Sequence, residues 1–173
     1  MSARPDSPLW IGGAQHDRLG PVWVAVSDAG LVAVLMKASE AEMRRYVQPA
    51  QITLDQERTG DALSQIVAYL DRARREFDIS IDWSVLGSFQ AQVLRLVQAI
   101  PYGQTRTYGD IAAELDLTNG ARAVGRANAT NPMPLVIPCH RVLGSDGRLH
   151  GYGGPGGVAT KAWLLQLEGS RLL

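Results

Sequence analysis

The first half of the chain consists of short apolar segments that alternate with turns. Residues 21–26 and 31–36 are two such segments, and the turn between them contains Gly30, a pattern that predicts a β-hairpin. Residues 79–83 alternate between apolar and polar positions like a short strand. Residues 1–20 show little periodicity, so we expect a partly ordered arm there.

Helical periodicity predicts two helices in the same half. Ser39 precedes a segment that runs through Val47 with acidic residues in its first turn, the arrangement that favours a helix start. We expect Pro49 to end this helix. Over residues 60–77, apolar positions three and four apart predict a longer amphipathic helix. These elements indicate a small α/β domain over residues 1–83, without a catalytic signature.

In the second half, apolar positions recur mainly at helical spacing. Ser88 and Thr107 are the predicted N-caps of two helices, the second of which covers residues 108–115. Another short helix, residues 121–129, follows a turn that contains Gly120. Two short helices joined by a tight turn are typical of a helix-turn-helix motif, although many helical hairpins share this pattern.

Charge is distributed unevenly, although the formal net charge of the chain is zero. Residues 1–82 carry 9 basic and 12 acidic side chains, whereas residues 83–173 carry 8 basic and 5 acidic ones. Arg122 and Arg126 are four positions apart and therefore share one face of the predicted helix. This basic face fits a polyanion such as DNA, but ordinary surface scatter gives the same composition.

The single cysteine, Cys139, directly precedes a histidine and follows the apolar residues 135–137, which predict a short buried strand. A lone buried cysteine can be inert packing, or it can be a nucleophile when a base lies beside it. Consecutive strand residues face opposite sides, so His140 would reach the thiol only through a kink or a bridging water. Glu168, at the end of a predicted final helix over residues 158–167, is a candidate to orient the imidazole.

The composition excludes several classes of protein. One cysteine precludes an intramolecular disulfide bond and a cysteine-rich zinc site, and the three histidines are scattered. No apolar run approaches the roughly 18 residues that a membrane-spanning helix requires. The first residues lack the pattern of a signal peptide. We therefore expect a cytoplasmic protein that has no metal site and no membrane partner.

Seven segments of the second half match the motifs of one known family in their order along the chain. They are Phe89–Val93, Ile100–Tyr108, Ala121–Gly125, Asn131–Pro132, Ile137–Val142, Gly151–Gly154 and Trp163–Glu168. This combination resembles the O6-alkylguanine-DNA alkyltransferases, also called methylated-DNA–protein-cysteine methyltransferases. The resemblance is strong over residues 89–169 and weaker, mainly over residues 19–36, in the first half.

The resemblance implies a fold of two domains. The first is an α/β domain with a small sheet and helices, similar to ribonuclease H, over residues 1–83. The second, over residues 84–173, is mostly helical, contains a winged-helix-like helix-turn-helix, and carries the alkyl-accepting cysteine.

The resemblance also implies direct-reversal DNA repair by a monomer that uses no cofactor. Cys139 would take the alkyl group from O6-alkylguanine, and from O4-alkylthymine, in double-stranded DNA in one irreversible turnover. Such a suicide methyltransferase binds the minor groove and flips the damaged base into a pocket.

Roles for individual residues follow from the same resemblance. His140 would take the thiol proton through a water molecule, with Glu168 polarising the imidazole. Tyr108 would donate a hydrogen bond or a proton to the departing guanine, Asn131 would brace the active-site turn, and Arg122 would fill the gap in the base stack. The remaining implied DNA contacts are Thr107, Ala121, Ala123 and Arg126, and the implied pocket residues are Pro134, Val142, Tyr152 and Gly153.

Two departures from the family pattern concern the pocket and the core. Tyr152 and Lys161 are separated by two more residues than expected, at Pro155–Gly156, which changes the expected pocket rim. Leu94 stands where the family usually has tryptophan, so we expect a packing adjustment there.

Two other hypotheses remain open at this level. A cysteine hydrolase that uses Cys139, His140 and Glu168 would process many substrate molecules per protein molecule. A related protein that only flags lesions would lack the cysteine, so the presence of Cys139 argues against it.

Overall fold

The computed structural model describes residues 7–48 and 51–170, and the chain divides after Gly87 into two compact units. The chain has an α/β fold. Pro49, the predicted end of the first helix, lies outside the described residues, as do residues 1–6 of the expected arm. Within the described ranges, no helix combines the length and the apolar character that crossing a membrane requires.

A four-stranded sheet forms the centre of the first unit. Its strands are β1 (Leu9–His16), β2 (Gly20–Ser27), β3 (Gly30–Met36) and β4 (Ile52–Leu54). The order across the sheet is β3-β2-β1-β4, with β1 antiparallel to β2 and parallel to β4. The predicted hairpin is confirmed as β2 and β3, which pair in antiparallel fashion.

The expectation of an arm over residues 1–20 is wrong for residues 9–16, which form the interior strand β1. Gly12 and Gly13 interrupt its hydrophobic alternation because neighbours fill the space beside them. A Cβ at residue 12 would meet the Thr59 side chain, and one at residue 13 would lie 2.6 Å from the Trp23 ring. The side chains that cover this strand at its two glycines therefore come from other segments.

Two helices accompany the sheet. Helix α1 (Glu40–Val47) begins with the predicted capping residue, since Ser39 and Glu42 form a reciprocal capping box. Helix α2 (Gln56–Leu70) begins earlier and ends earlier than the predicted residues 60–77, because Asp55 accepts bonds from the first backbone N–H groups. Just after α2, Arg72 adopts a left-handed conformation with φ 62°, which turns the chain away.

Residues 79–83 do not form the predicted strand. Ile81 makes a single isolated bridge to Leu31, and a 3₁₀ helix over Trp83–Val85 follows directly. Asp82 caps this turn and also accepts a 2.7 Å bond from the hydroxyl of Ser27. The carboxylate of Asp82 thus fixes the segment where a strand ladder was expected.

The second unit is mostly helical. Its elements are α3 (Ser88–Gln98), β5 (Arg106–Thr107), α4 (Tyr108–Glu114), α5 (Ala121–Ala129), β6 (Val142–Leu143) and α6 (Gly157–Leu167). Helices α4 and α5 contact each other, and Thr107 caps α4 with a capping box, as predicted. Leu94 is fully buried in α3, in agreement with its interpretation as a core position.

We predict that Gly60→Ala stabilises the protein by about 0.5–1 kcal/mol, because Gly60 lies inside α2 and loses more chain entropy on folding than alanine. A Cβ at this position would meet nothing within 4 Å. Urea denaturation measures the change in the free energy of unfolding. The matched control is Gly12→Ala, whose Cβ would collide with Thr59, and it should destabilise; equal effects of the two changes would refute the argument.

Candidate active site around Cys139

The backbone before Cys139 is a tight turn and not the predicted strand over residues 135–137. Pro134 and Ile137 form a bridge, and Leu135 between them has φ 76°, a left-handed conformation that no strand contains. The segment is apolar because it is buried on all sides. Cys139 then begins a 3₁₀ helix, Cys139–Arg141, so Cys139 and His140 do not alternate across a strand.

Two asparagine side chains brace this turn. Nδ2 of Asn131 donates to the carbonyl of Ile137 at 2.8 Å, and its Oδ1 accepts from the backbone N–H of Met133 at 3.0 Å. Nδ2 of Asn128 donates to the carbonyl of Cys139 at 3.1 Å. Asn131 was a predicted site residue, whereas Asn128 was missed, since one polar position in a helix of small residues gives little sequence signal.

A buried carboxylate lies behind the cysteine. Nε2 of His140 is 2.9 Å from Oε1 of Glu168, which brings together the predicted histidine and carboxylate. Arg141 donates to the same carboxylate from Nη2 at 2.8 Å and from Nε at 3.0 Å, and the N–H of Gly103 donates at 3.1 Å. Glu168 therefore has donors on both oxygens, which offsets the cost of burying its charge.

Arg141 is the second residue that sequence reasoning missed. Besides its bonds to Glu168, it donates from Nη1 to the carbonyl of Ile100 at 2.5 Å. The guanidinium is buried and paired, so its charge is not part of a surface for polyanions. Its position next to Cys139 and His140 was the only available signal.

Burial controls the protonation of the reactive pair. Burial raises the pKa of the Cys139 thiol above its usual range, partly offset by a hydrogen bond from Asn131 and by the charge of Lys161. Burial lowers the pKa of His140, although Glu168 opposes this effect. Both shifts favour the neutral forms near pH 7, a protonated thiol and a neutral imidazole, and a neutral imidazole can act as a base.

Lys161 on α6 is buried behind the same turn. Its Nζ donates to the carbonyl of Val142 at 2.6 Å and to that of His150 at 3.3 Å. Burial lowers the pKa of Lys161 to about 8, and the charge of Cys139 opposes the shift. Lys161 thus links α6 to the segment that follows the cysteine.

A cavity of about 750 Å³ opens beside the cysteine within the second unit. Its lining includes the predicted site residues Tyr108, Ala121, Arg122, Cys139, Tyr152 and Gly153. The turn residues 144–146, His150 and Asn128 complete most of the wall. A cavity of this size is typical of sites for small organic groups.

The other predicted contact residues lie outside this lining. Val142 and Pro134 are buried, and Thr107 is the capping residue of α4. Ala123 and Arg126 are exposed on α5, which they share with Arg122.

The glycine-rich segment forms one wall of the cavity. Gly153 passes so close to the carbonyl of Ala129 that a Cβ would collide with it. The additional residues Pro155–Gly156 are not part of the lining. They lead into α6, where Gly156 and Gly157 adopt positive φ values of 80° and 54°. The described residues contain no group of three or more side chains that could hold a metal ion.

A helix-turn-helix pair with exposed arginines borders the cavity that Cys139 lines, and His140, which follows the cysteine in the same turn, pairs with Glu168. This arrangement is typical of nucleic-acid-binding proteins with a cysteine nucleophile. Residues 88–170 match the family model described as 6-O-methylguanine DNA methyltransferase, DNA binding domain. The methylated-DNA–protein-cysteine methyltransferase of Methanosarcina acetivorans is 37% identical over 154 residues, which cover 88% of this chain and 94% of that relative. The chain belongs to the methylated-DNA–protein-cysteine methyltransferase family.

Mycobacterial proteins show the same relationship. The relative of that name from Mycolicibacterium paratuberculosis is 50% identical over 108 residues, and this match spans 62% of the chain and 63% of the relative, less than two thirds of its length. A crystal structure of Mycobacterium tuberculosis OGT in complex with DNA is 35% identical, covers 92% of both chains and superposes with a TM-score of 0.78.

We predict that Glu168→Gln destabilises the protein by about 3 kcal/mol, because it leaves the buried guanidinium of Arg141 without its counter-charge. Urea denaturation measures the loss. The matched control is Glu114→Gln, which removes an ion pair to Arg106 of similar length on the surface and should cost less than about 1 kcal/mol. Similar losses in the two variants would contradict the importance of burial.

Proposed function

We propose that this protein repairs double-stranded DNA by moving the alkyl group of O6-alkylguanine, and of O4-alkylthymine, onto Cys139. Each molecule acts once, because a thioether is not hydrolysed under physiological conditions. The protein acts as a monomer in the cytoplasm. The observation that carries this proposal is that the buried Cys139 and Arg122, from the exposed face of α5, line the same cavity.

The transfer requires one proton to leave sulfur and one to reach the base. His140 takes the thiol proton through a water molecule, and Glu168 supports the imidazolium that forms. The Cys139 sulfur forms a bond to the alkyl carbon as the bond from that carbon to O6 breaks. Tyr108 donates a proton to the departing guanine, so that neutral guanine and S-alkylcysteine result. The thiol loses one proton and the base gains one. The proton taken up by His140 then returns to Tyr108 through solvent.

Helix α5 is the proposed DNA-reading element. Arg122 is exposed at the edge of the cavity, a position that suits a side chain filling the gap left by a flipped base. Arg126, on the same face, suits a phosphate contact. The small exposed residues Ala121 and Ala123 permit close approach of the minor groove, and Thr107 at the start of α4 offers a further contact.

The pocket for the base is proposed to include Tyr152 and Gly153, which line the cavity, and Val142 and Pro134 behind it. Burial raises the pKa of Tyr152 well above its usual value, so this phenol stays neutral beside the thiol. Backbone groups of this wall would read the guanine edge.

The finer architecture is also a proposal. We assign residues 1–83 to a ribonuclease H-like scaffold domain, supported by the mixed sheet and its helices. We assign residues 84–173 to a DNA-binding, alkyl-accepting domain of winged-helix type. The short strand β5 directly before α4 pairs with β6, which supports that assignment.

We predict that the protein gains one methyl group on Cys139 after incubation with double-stranded DNA containing O6-methylguanine. Mass spectrometry of intact protein and of peptides measures the product. Cys139→Ala should bind the DNA with unchanged affinity and transfer nothing, because only the sulfur is lost. A stoichiometry above one alkyl group processed per protein molecule indicates the hydrolase and overturns the proposal, as does transfer by the alanine variant.

We predict that Arg122→Ala slows transfer from double-stranded DNA by at least about tenfold, equal to about 1.4 kcal/mol of barrier, because the flipped state loses its stabilising side chain. Transfer from a single-stranded oligonucleotide should change little. Arg126→Ala, the matched control four positions along the same face, should weaken DNA binding without changing the rate at saturating DNA. Equal slowing on single strands and duplexes would remove the proposed role of Arg122.

A further inference from the structure

Asn128 is a buried polar residue that the proposed reaction does not use. It lies in α5, lines the cavity and donates from Nδ2 to the carbonyl of Cys139 at 3.1 Å. A carbonyl accepts hydrogen bonds only, so this bond fixes which end of the amide carries the nitrogen. The other end, Oδ1, is sealed from solvent and has no hydrogen-bond partner within the described ranges.

The ring of Tyr108 lies along the same face of α5. A Cβ at Gly125 would lie 3.8 Å from Cδ1 and 3.9 Å from Cε1 of this ring. Asn128 follows Gly125 by three positions, which places it one turn further along that face. Tyr108 and Asn128 both line the cavity that contains Cys139. The amide is therefore adjacent to the proposed acid and bonded to the residue that carries the nucleophile.

The titration of Tyr108 is consistent with this placement. Burial raises the pKa of the phenol, and a hydrogen bond from Asn128 opposes that shift. The negative charge that Cys139 can carry raises it further. An N–H directed at the phenol oxygen has this opposing effect because it stabilises the phenolate.

We infer that Asn128 is a positioning residue, whose Nδ2 holds the hydroxyl oxygen of Tyr108 with one N–H and the carbonyl of Cys139 with the other. The inference rests on the proposed function, because it assigns Asn128 to the acid step of alkyl transfer. An amide nitrogen carries two hydrogens, so both bonds form at once. The proton of the phenol itself is then left for the base.

The arrangement accounts for each proton of the transfer. As sulfur bonds to the alkyl carbon and the bond to O6 breaks, the phenol proton of Tyr108 passes to the departing guanine. The N–H of Asn128 stabilises the phenolate that remains until solvent returns the proton taken up by His140. Without Asn128, the phenol would be a weaker acid with a freely rotating hydroxyl.

The unpartnered Oδ1 is a second mark of function. Buried polar atoms without partners are rare in native proteins, and each requires an explanation. An aliphatic side chain of similar shape would avoid the unsatisfied oxygen. Asn128→Leu should therefore keep a melting temperature within a few degrees of the original while transfer slows, and the coupling to Tyr108 distinguishes this role from a brace on Cys139 alone.

A double-mutant cycle tests the inference. Single-turnover transfer from O6-methylguanine DNA is measured for the original protein, Asn128→Leu, Tyr108→Phe and the double variant. We expect each single change to slow transfer by about tenfold or more, and the double variant to be slowed by clearly less than the product of the two single effects. Slowing by the product of the two single effects, or no slowing by Asn128→Leu, overturns the inference. Asn128→Ala replaces the leucine variant in the cycle if leucine prevents folding.

A titration that needs no DNA separates this inference from the proposed function. The pKa of Tyr108 is followed by NMR of ¹³C-labelled tyrosine, with Tyr108→Phe identifying the signal. The pKa should be higher in Asn128→Leu than in the original protein, and an unchanged value overturns the inference. Failure of the original protein to accept a methyl group overturns the proposed function instead, while this titration still decides the role of Asn128.

Discussion

The carboxylate of Glu168 organises the second unit. It accepts hydrogen bonds from His140, from Arg141 and from the backbone of Gly103, so one buried charge joins three segments that are distant in sequence. Because removal of any donor would leave charge unsatisfied in the interior, the three segments hold one another in place. These hydrogen bonds also hold the turn that contains Cys139 in place.

The residues that surround the thiol divide into two functional sets. Asn131 fixes the backbone of the cysteine turn, and Glu168 fixes the imidazole of His140. Tyr108 and Arg122 line the cavity in which a base would react. Burial also raises the pKa of the Cys139 thiol, which favours its protonated form. An unreactive resting thiol would be an advantage for a protein that the proposed reaction consumes.

Several elements with a capping residue or a turn motif were predicted correctly from the sequence. Capping residues such as Ser39 and Thr107 located two helix starts, and the hairpin followed from its turn. The strand β1 was missed because its glycines are explained only by Thr59 and Trp23 of other segments. In the site, ordered motifs identified Cys139 and its neighbours. The partners of Asn128 and Arg141 depend on tertiary contacts that no spacing encodes.

Helix α6 is held at its far end and middle, since the hydroxyl of Tyr102 donates to the carbonyl of Leu167 at 3.1 Å and Lys161 bonds to the segment after the cysteine. At the start of the helix, the hydroxyl of Thr160 donates to the carbonyl of Pro155 at 2.7 Å, so the loop that leads into the helix is tied to the helix itself. Because Pro155–Gly156 lie in this loop and outside the cavity lining, their presence need not move the sulfur. A difference in loop length at this point is therefore compatible with an unchanged turn around Cys139.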